Sequence, residues 1–292
     1  MILLTGATGT VGSALLRRLV AARQPVRCLV RDPRRLGAER VRVQIALGDL
    51  ANPASFRNAL RGVDTVVHVA AAIRDEDQAS IEEVNGVATL RLLRAAQRAG
   101  ARRFLFFSAM GASLHSSSRF FRAKALAERA VMESELDTTV FAPSIVYAPG
   151  DYWLRLLERL SYLPAVPLAG SGRTLYQPIW ADDVAACVMA VLDSGRPNGE
   201  PVELAGPETL SHDQIVKLVL RSLGRRRRLL HVPLPLTRAS LRTLETVVGS
   251  SAAFATWEEA ELMEIPMTTP AGTAGAESLG ITPLRMAAVL GC

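Results

Sequence analysis

The sequence predicts an α/β fold: a parallel sheet wound on both faces by helices, followed by a smaller lobe. Three observations predict it. Over the first 145 residues, short apolar runs alternate with stretches that carry leucine at helical spacing. Strands that alternate with helices pair in parallel through right-handed crossovers. The chain of 292 residues has room for one large α/β domain with an appended lobe. Its hydrophobic fraction of 49% supplies a sizeable core, and with aromatics at only 5% that core is built mostly from Ala, Val and Leu.

The elements follow in order. ILLT (2–5) is a short apolar strand, and VGSALLRRLVAARQ (11–24) is the first helix. VRCLV (26–30) and VRVQIAL (41–47) are the second and third strands. DTVVHVAA (64–71) has the composition of a strand buried on both faces. VNGVATLRLLRAAQRAG (84–100) is an amphipathic helix closed by Gly100. RFLFFSA (103–109) is strand, FFRAKALAERAVMES (120–134) helix, and DTTVFAPS (137–144) the sixth strand.

Regularity loosens after Pro149-Gly150. WLRLLERL (153–160) reads as a helix, and ADDVAACVMAVLDSG (181–195) as another, capped by Asp182 or Asp183. PVELAG (201–206) is a short strand, SHDQIVKLVLRSLG (211–224) a helix opened by Ser211, and PLTRASLRTLETVVG (235–249) a further helix. SLGITPLRMAAVLG (278–291) is a turn and a last short helix. There is no internal repeat. Residues 1–148 therefore read as the sheet domain, and 149–292 as a lobe built on it, facing substrate or partner, not as an independent module.

The formal charge is +6, and lysine occurs only at Lys124 and Lys217, so the excess is arginine. Arginine suits phosphate-bearing ligands. No basic helix or aromatic-interleaved basic stripe points to nucleic acid. Cys28, Cys187 and Cys292 have no short spacing between them. Neither a disulfide framework nor a metal site is expected, which fits a reducing cytoplasm. No signal segment and no apolar stretch of membrane-spanning length is evident, so the expectation is a soluble, cytoplasmic protein without a transmembrane segment.

LLTGATGTVGSALL is the most informative segment. Gly6, Gly9 and Gly12 follow a strand directly and open a helix. Glycine permits the tight turn and lets backbone N–H groups approach a pyrophosphate, while the helix N-terminus adds partial positive charge. The plainer alternative is a glycine turn used only for close packing of helix on strand. Behind the second strand stand Arg31, Arg34 and Arg35, where an NAD site would carry an acid for the ribose hydroxyls. Guanidinium groups favour a 2′-phosphate, so NADP(H) is preferred. NAD(H) stays possible because Asp32 could turn inward, and a solvated arginine cluster is the bland alternative. Asp49, in ALGDL (46–50), could accept from an adenine amino group, cap the helix starting near Pro53, or do both.

Together these residues resemble the extended and atypical branch of the short-chain dehydrogenase/reductase superfamily, over nearly the whole chain. TGATGTVG, GDL, VVHVAA, VNGVATLRLLRAAQRAGARRFLFFSA, APSIVYAPGD, PIWADDVAACVMAVL, ELAGPETLSHDQIVKLV and LGITP carry the likeness. The subgroup most similar includes the nucleotide-binding accessory subunit of complex I and its bacterial relatives. The resemblance implies a Rossmann-type doubly wound sheet with a small C-terminal substrate lobe. It implies NADP(H) contacts from Gly6, Thr8, Gly9, Thr10, Val11 and Gly12, from Arg31, Arg34 and Arg35, from Asp49 and Leu50, from Ala70 and Ala71, and from Lys124, Pro143 and Ser144.

The family's catalytic set is a serine after the fifth strand, then tyrosine and lysine spaced YxxxK. Ser108 and Lys124 match, but Phe120 occupies the tyrosine position, and Ala142-Pro143-Ser144 replaces the family's frequent Arg-Pro-Ser. Phenylalanine keeps the ring and loses the proton. General acid assistance contributes about 10²–10⁴-fold, so its loss costs roughly 3–5 kcal/mol of transition-state stabilisation. Water, Ser108 or His115 in the intervening loop could donate instead, although a loop histidine more often faces solvent. Lys124 can still hold the nicotinamide ribose.

Tyr147, Tyr176 and His68 read as packing or core residues more readily than as ligands. GRRRRLL (224–230) reads as a solvated connection, and WLRLLERLSYLPAVPL (153–168) as lobe packing or a cleft cover. The expected function is an NADP(H)-dependent oxidoreductase with an altered acid. The alternatives are a non-catalytic NADP(H) sensor or accessory subunit and, third, an epimerase or dehydratase.

Overall fold

The computed structural model describes residues 1–76, 79–194, 199–249 and 255–292. Gly195, read as the end of a helix, lies outside them. The sheet-forming strands of the first half are β1 (Ile2–Thr5), β2 (Val26–Val30), β3 (Gln44–Leu47), β4 (Thr65–His68), β5 (Arg103–Phe107) and β6 (Asp137–Pro143). Between them run α1 (Thr10–Ala21), α2 (Pro53–Phe56), α3 (Ala88–Arg98) and α4 (Arg119–Met132). The second half adds β7 (Val146–Tyr147), α5 (Tyr152–Leu160), β8 (Ala165–Ala169), β9 (Leu175–Tyr176), β10 (Ile179–Trp180), α6 (Ala181–Ser194) and β11 (Val202–Leu204). It closes with β12 (Leu210–Ser211), α7 (His212–Ser222), β13 (Arg228–Val232), α8 (Leu234–Val248), α9 (Trp257–Leu262), α10 (Ala274–Glu277) and α11 (Met286–Leu290).

Seven strands form one sheet in the order β11-β6-β5-β4-β1-β2-β3, and every pairing is parallel. Period-two alternation sends Leu105, Phe107 and Phe141 to the layer made with α1 and α6. Phe104, Phe106 and Val140 face the opposite layer, with α3 and α4. Each buried phenylalanine stabilises by roughly 1.5–3 kcal/mol. A third cluster, with Tyr147, Tyr176, Val216 and Leu220, is the core of the C-terminal lobe. The seventh strand, β11, comes from beyond residue 148, so the second half completes the sheet of the first.

Several predicted boundaries move, each for a physical reason. The third strand starts at Gln44, not Val41: it is the sheet edge, and β2 offers partners only from Gln44 to Leu47. Val41 instead ends a 3₁₀ segment, Pro33–Val41, and is 81% exposed. The fourth strand ends at His68 rather than residue 71: Val69 N still donates to Thr5 O at 3.3 Å, but β1 ends at Thr5 and the chain beyond runs against the backbone of Gly6. The helix expected over 84–100 opens with a π turn, Glu83–Val87, before α3, and Gly100 follows it with φ 79°. Neither Asp182 nor Asp183 precedes α6; both lie in its first turn. Asp182 pairs with Arg18, and Asp183 accepts from the Leu284 N–H at 2.9 Å. Ser211 does open α7, through a reciprocal capping box with Gln214.

Candidate functional site

The loops at the carboxyl ends of β1, β2, β3, β4, β5 and β6 gather at one edge of the sheet, where ligands lie in open parallel sheets. The glycine loop is built by contacts a side chain would fill. Gly6 has φ +71°, and a Cβ there would lie 2.5 Å from Ala70 N. A Cβ on Gly12 would lie 2.0 Å from Gly6 O. Gly9 is the N-cap of α1 and supplies no capping side chain. The N–H groups of the first turn, which Thr10, Val11 and Gly12 supply, therefore have no side-chain cap and favour an anion. These cradled glycines and the uncapped helix end fit a dinucleotide pyrophosphate.

Asn85, a polar residue within a helical stretch, is wholly buried and braces the connection after β4. It accepts from Ala72 N at 3.2 Å and donates to the carbonyls of Ala72 and Ile81 at 2.7 and 2.9 Å. The only hint in the sequence was a polar residue on the apolar face of a helix. Ala70 is half-buried and Ala71 exposed, next to Gly6.

At the adenosine end, Arg31, Arg34 and Arg35 are all exposed. Arg31 forms a two-point ion pair with Glu76, a residue the sequence analysis did not single out. Asp32 does not turn inward: its Oδ1 accepts from Arg34 N at 2.9 Å and caps the 3₁₀ segment. Asp49 does not cap α2 either. Asn52 does, accepting from Ala54 N, while Asp49 Oδ1 accepts from Ala51 N at 2.9 Å. Leu50 is half-buried beside it.

At the opposite end, Lys124 is 1% exposed and its Nζ donates to the Phe107 carbonyl at 2.6 Å. The ammonium lies 5.0 Å from the Phe106 ring centroid and 5.9 Å from that of Phe120. Burial pushes its pKa down to about 7. Phe120 is itself buried, 9% exposed, and packs edge-on against Phe121. Ser108 Oγ is buried and makes no hydrogen bond of good geometry. Glu128, a turn beyond Lys124, approaches it only loosely: burial raises the carboxyl pKa and the Ser108 hydroxyl draws it partly back. A buried hydroxyl with only this loose partner fits a place where a ligand oxygen would complete its bonding.

The Ser144 hydroxyl is engaged within the protein. Its Oγ donates to the Met267 carbonyl at 2.7 Å and accepts from Gln177 N at 3.2 Å, so it ties β6 to the C-terminal lobe. The neighbouring Pro143 carbonyl accepts from Met110 N at 2.9 Å. His115 is exposed in its loop, and its backbone N–H donates to Ser113 Oγ at 3.2 Å. Tyr147 and Tyr176 are both fully buried packing residues; the Tyr176 hydroxyl donates to the Met263 carbonyl. The GRRRRLL run is not wholly solvated: Arg225 lies 3.7 Å over the Tyr162 ring, and Arg227 donates to the Ser161 carbonyl at 2.9 Å. Among the described residues, no group of three or more His, Cys, Asp or Glu could hold a metal, and no helix is long and apolar enough to cross a membrane.

His68 is a satisfied core histidine. It is fully buried, with Nδ1 2.6 Å from Thr5 Oγ1 and Nε2 2.9 Å from Thr89 Oγ1. Burial, then the Lys124 charge, pushes its pKa down from 6.5 to about 3. The unfolded chain thus binds a proton that the native ring refuses. The contribution to stability is complete above pH 6.5 and is lost as pH falls toward about 3. Urea unfolding at pH 7, 5 and 4 is expected to show a smaller loss for His68→Asn than for the wild type. Equal losses would mean the ring titrates normally in the fold.

This edge, with its glycine cradle and its lysine, defines a dinucleotide-binding protein of the atypical short-chain dehydrogenase/reductase kind. The chain belongs to the NAD(P)H-binding family, whose model matches residues 6–194. It is 29% identical over 250 residues to "NADH dehydrogenase [ubiquinone] 1 alpha subcomplex subunit 9, mitochondrial" of Arabidopsis thaliana, covering 80% of this chain and 60% of that protein. The chain thus spans less than two thirds of that relative. It is 31% identical to the "(4-alkanoyl-5-oxo-2,5-dihydrofuran-3-yl)methyl phosphate reductase" of Streptomyces griseus subsp. griseus, over 77% of this chain and 74% of the other. In fold it matches the dTDP-glucose 4,6-dehydratase DesIV from Streptomyces venezuelae, solved with NAD bound. There the TM-score is 0.75 at 20% identity, covering 99% of this chain and 95% of that one.

Proposed function

We propose that this protein holds NADP(H) across the carboxyl edge of its sheet and works chiefly as a cofactor-binding subunit or sensor. Any reductase activity runs without a tyrosine acid. The observation that carries the binding half is the glycine cradle: Cβ atoms at Gly6 and Gly12 would stand 2.5 Å from Ala70 N and 2.0 Å from Gly6 O. Only bare backbone fits there, and it presents N–H groups to a diphosphate. Arg31, with Arg34 and Arg35 behind it, would read the 2′-phosphate, Asp49 and Leu50 the adenine side, and Lys124 the nicotinamide ribose. The nicotinamide supplies or accepts a hydride when bound.

The observation behind the non-catalytic half is the surround of Lys124. Its ammonium is held by the Phe107 carbonyl under two phenyl rings, and no hydroxyl stands at position 120 to pass on a proton. The likeness to a named subunit of NADH dehydrogenase supports this reading. A reductase is the second reading, favoured by the buried Ser108 hydroxyl, which has only Glu128 loosely beside it, and by the reductase relative.

Isothermal titration with NADPH and NADH is expected to give binding of both, tighter for NADPH by about tenfold, equivalent to ~1.4 kcal/mol. No uptake of either by folded protein would end the proposal. Turnover near the typical enzyme value of about 10 s⁻¹ on a carbonyl panel would decide for the reductase.

A further inference from the structure

The connection after β4 makes three consecutive ion pairs to three different elements. Arg74 pairs with Glu259 of α9, Asp75 with Arg119 of α4, and Glu76 with Arg31 behind β2. The last has a particular position. In the sheet, β1 lies between β2 and β4. Arg31 is the first residue after β2, and Glu76 belongs to the connection that follows β4. Their pair therefore crosses the carboxyl end of β1, where the glycine loop begins. Nη1 and Nη2, the end-on edge of the Arg31 guanidinium, donate to the two Glu76 oxygens, and Asp49 lies close enough to add to the negative field on it.

We infer that Glu76 is a specificity-determining residue of the cofactor site: its carboxylate occupies the face of Arg31 that a 2′-phosphate would take, and it is exchanged only for a ligand bearing that anion. This rests on the proposed NADP(H) binding. The chemistry is a substitution of one bidentate anion for another on the same guanidinium. The exchange is cheap, because the Arg31 and Glu76 side chains are 54% and 36% exposed. A pair that open to solvent changes an equilibrium by about two- to fivefold. A ligand with free 2′ and 3′ hydroxyls has no charge to offer Arg31 and leaves the pair intact.

The test is calorimetric titration of NADPH and NADH into wild type, E76Q, R31Q and the double variant. E76Q is expected to tighten NADPH by about two- to fivefold and to leave NADH within about twofold. In the R31Q background, E76Q is expected to change neither, because the carboxylate acts through the guanidinium. The inference is overturned if E76Q leaves the NADPH-to-NADH ratio unchanged while both still bind. It is equally overturned if E76Q weakens NADH, since Glu76 would then be holding the ribose hydroxyls, or if the gain persists without Arg31. Failure of wild type to bind either nucleotide would overturn this inference together with the proposed function; binding with an unmoved ratio would sink the inference alone.

Discussion

Gly12→Ala is expected to lower NADPH affinity by about ten- to a hundredfold and to cost about 1–3 kcal/mol of stability. The added Cβ would sit 2.0 Å from Gly6 O, 2.7 Å from Gly6 C and 3.0 Å from Ala7 Cα. All three are backbone atoms, so no rotamer change relieves the clash. Either α1 backs away from the loop or the turn at Gly6 opens, and both displace the N–H groups proposed to hold the diphosphate. Two controls sharpen the result. Gly9→Ala places its Cβ 3.4 Å from Gly6 O, an ordinary contact, and should cost far less stability, while its methyl on the ligand-facing N-cap should still lower affinity. Gly37, unlike Gly12, has a positive φ of 60°, and its added Cβ would meet nothing within 4 Å, so Gly37→Ala should lower stability without touching affinity. Titration calorimetry with thermal unfolding separates these outcomes. NADPH affinity of Gly12→Ala within about twofold of wild type would show that the loop does not carry the ligand.

Phe120→Tyr is expected to raise NADPH-dependent reduction of a carbonyl substrate by about 10²–10⁴-fold, the usual contribution of a positioned acid. The ring is already in place, and the Lys124 Nζ stands 5.9 Å from its centroid. Lys124 is pushed down to about 7, so near neutrality a large fraction is still charged and would ease ionisation of an adjacent phenol. Ser108, with no good partner of its own, remains available to steady a substrate oxygen. Single-turnover oxidation of bound NADPH by a carbonyl panel reads the gain directly. A change below about tenfold, with NADPH affinity kept, would mean that Phe120 is not what separates this site from a working reductase.

Periodicity and punctuation made much of the fold legible. The apolar runs of β1, β2, β4, β5 and β6 are buried on both faces and needed no partner information to be found. The glycine loop was legible because strand, turn and helix follow one another locally. The edge strand was misjudged at Val41, because where an edge strand begins depends on what its single neighbour offers. The short strands of the second half, β7, β9, β10 and β12, carry two residues each, too few for any period to register. α9 was missed as well, in a stretch the sequence reading left unassigned.

What the chain determined by itself is local chemistry: glycines where helix and turn must approach backbone to backbone, arginines behind the second strand, a phenyl ring four residues before a lysine. What only the tertiary structure decided is which charges face which. Glu76 meets Arg31 across 45 residues, Arg74 meets Glu259 across 185, and Ser144 turns to Met267 across 123. The physical reason is range. Turn and helix signals act over a few neighbouring residues, whereas ion pairs and buried hydroxyls are satisfied by whatever the packed sheet and lobe bring within about 3 Å.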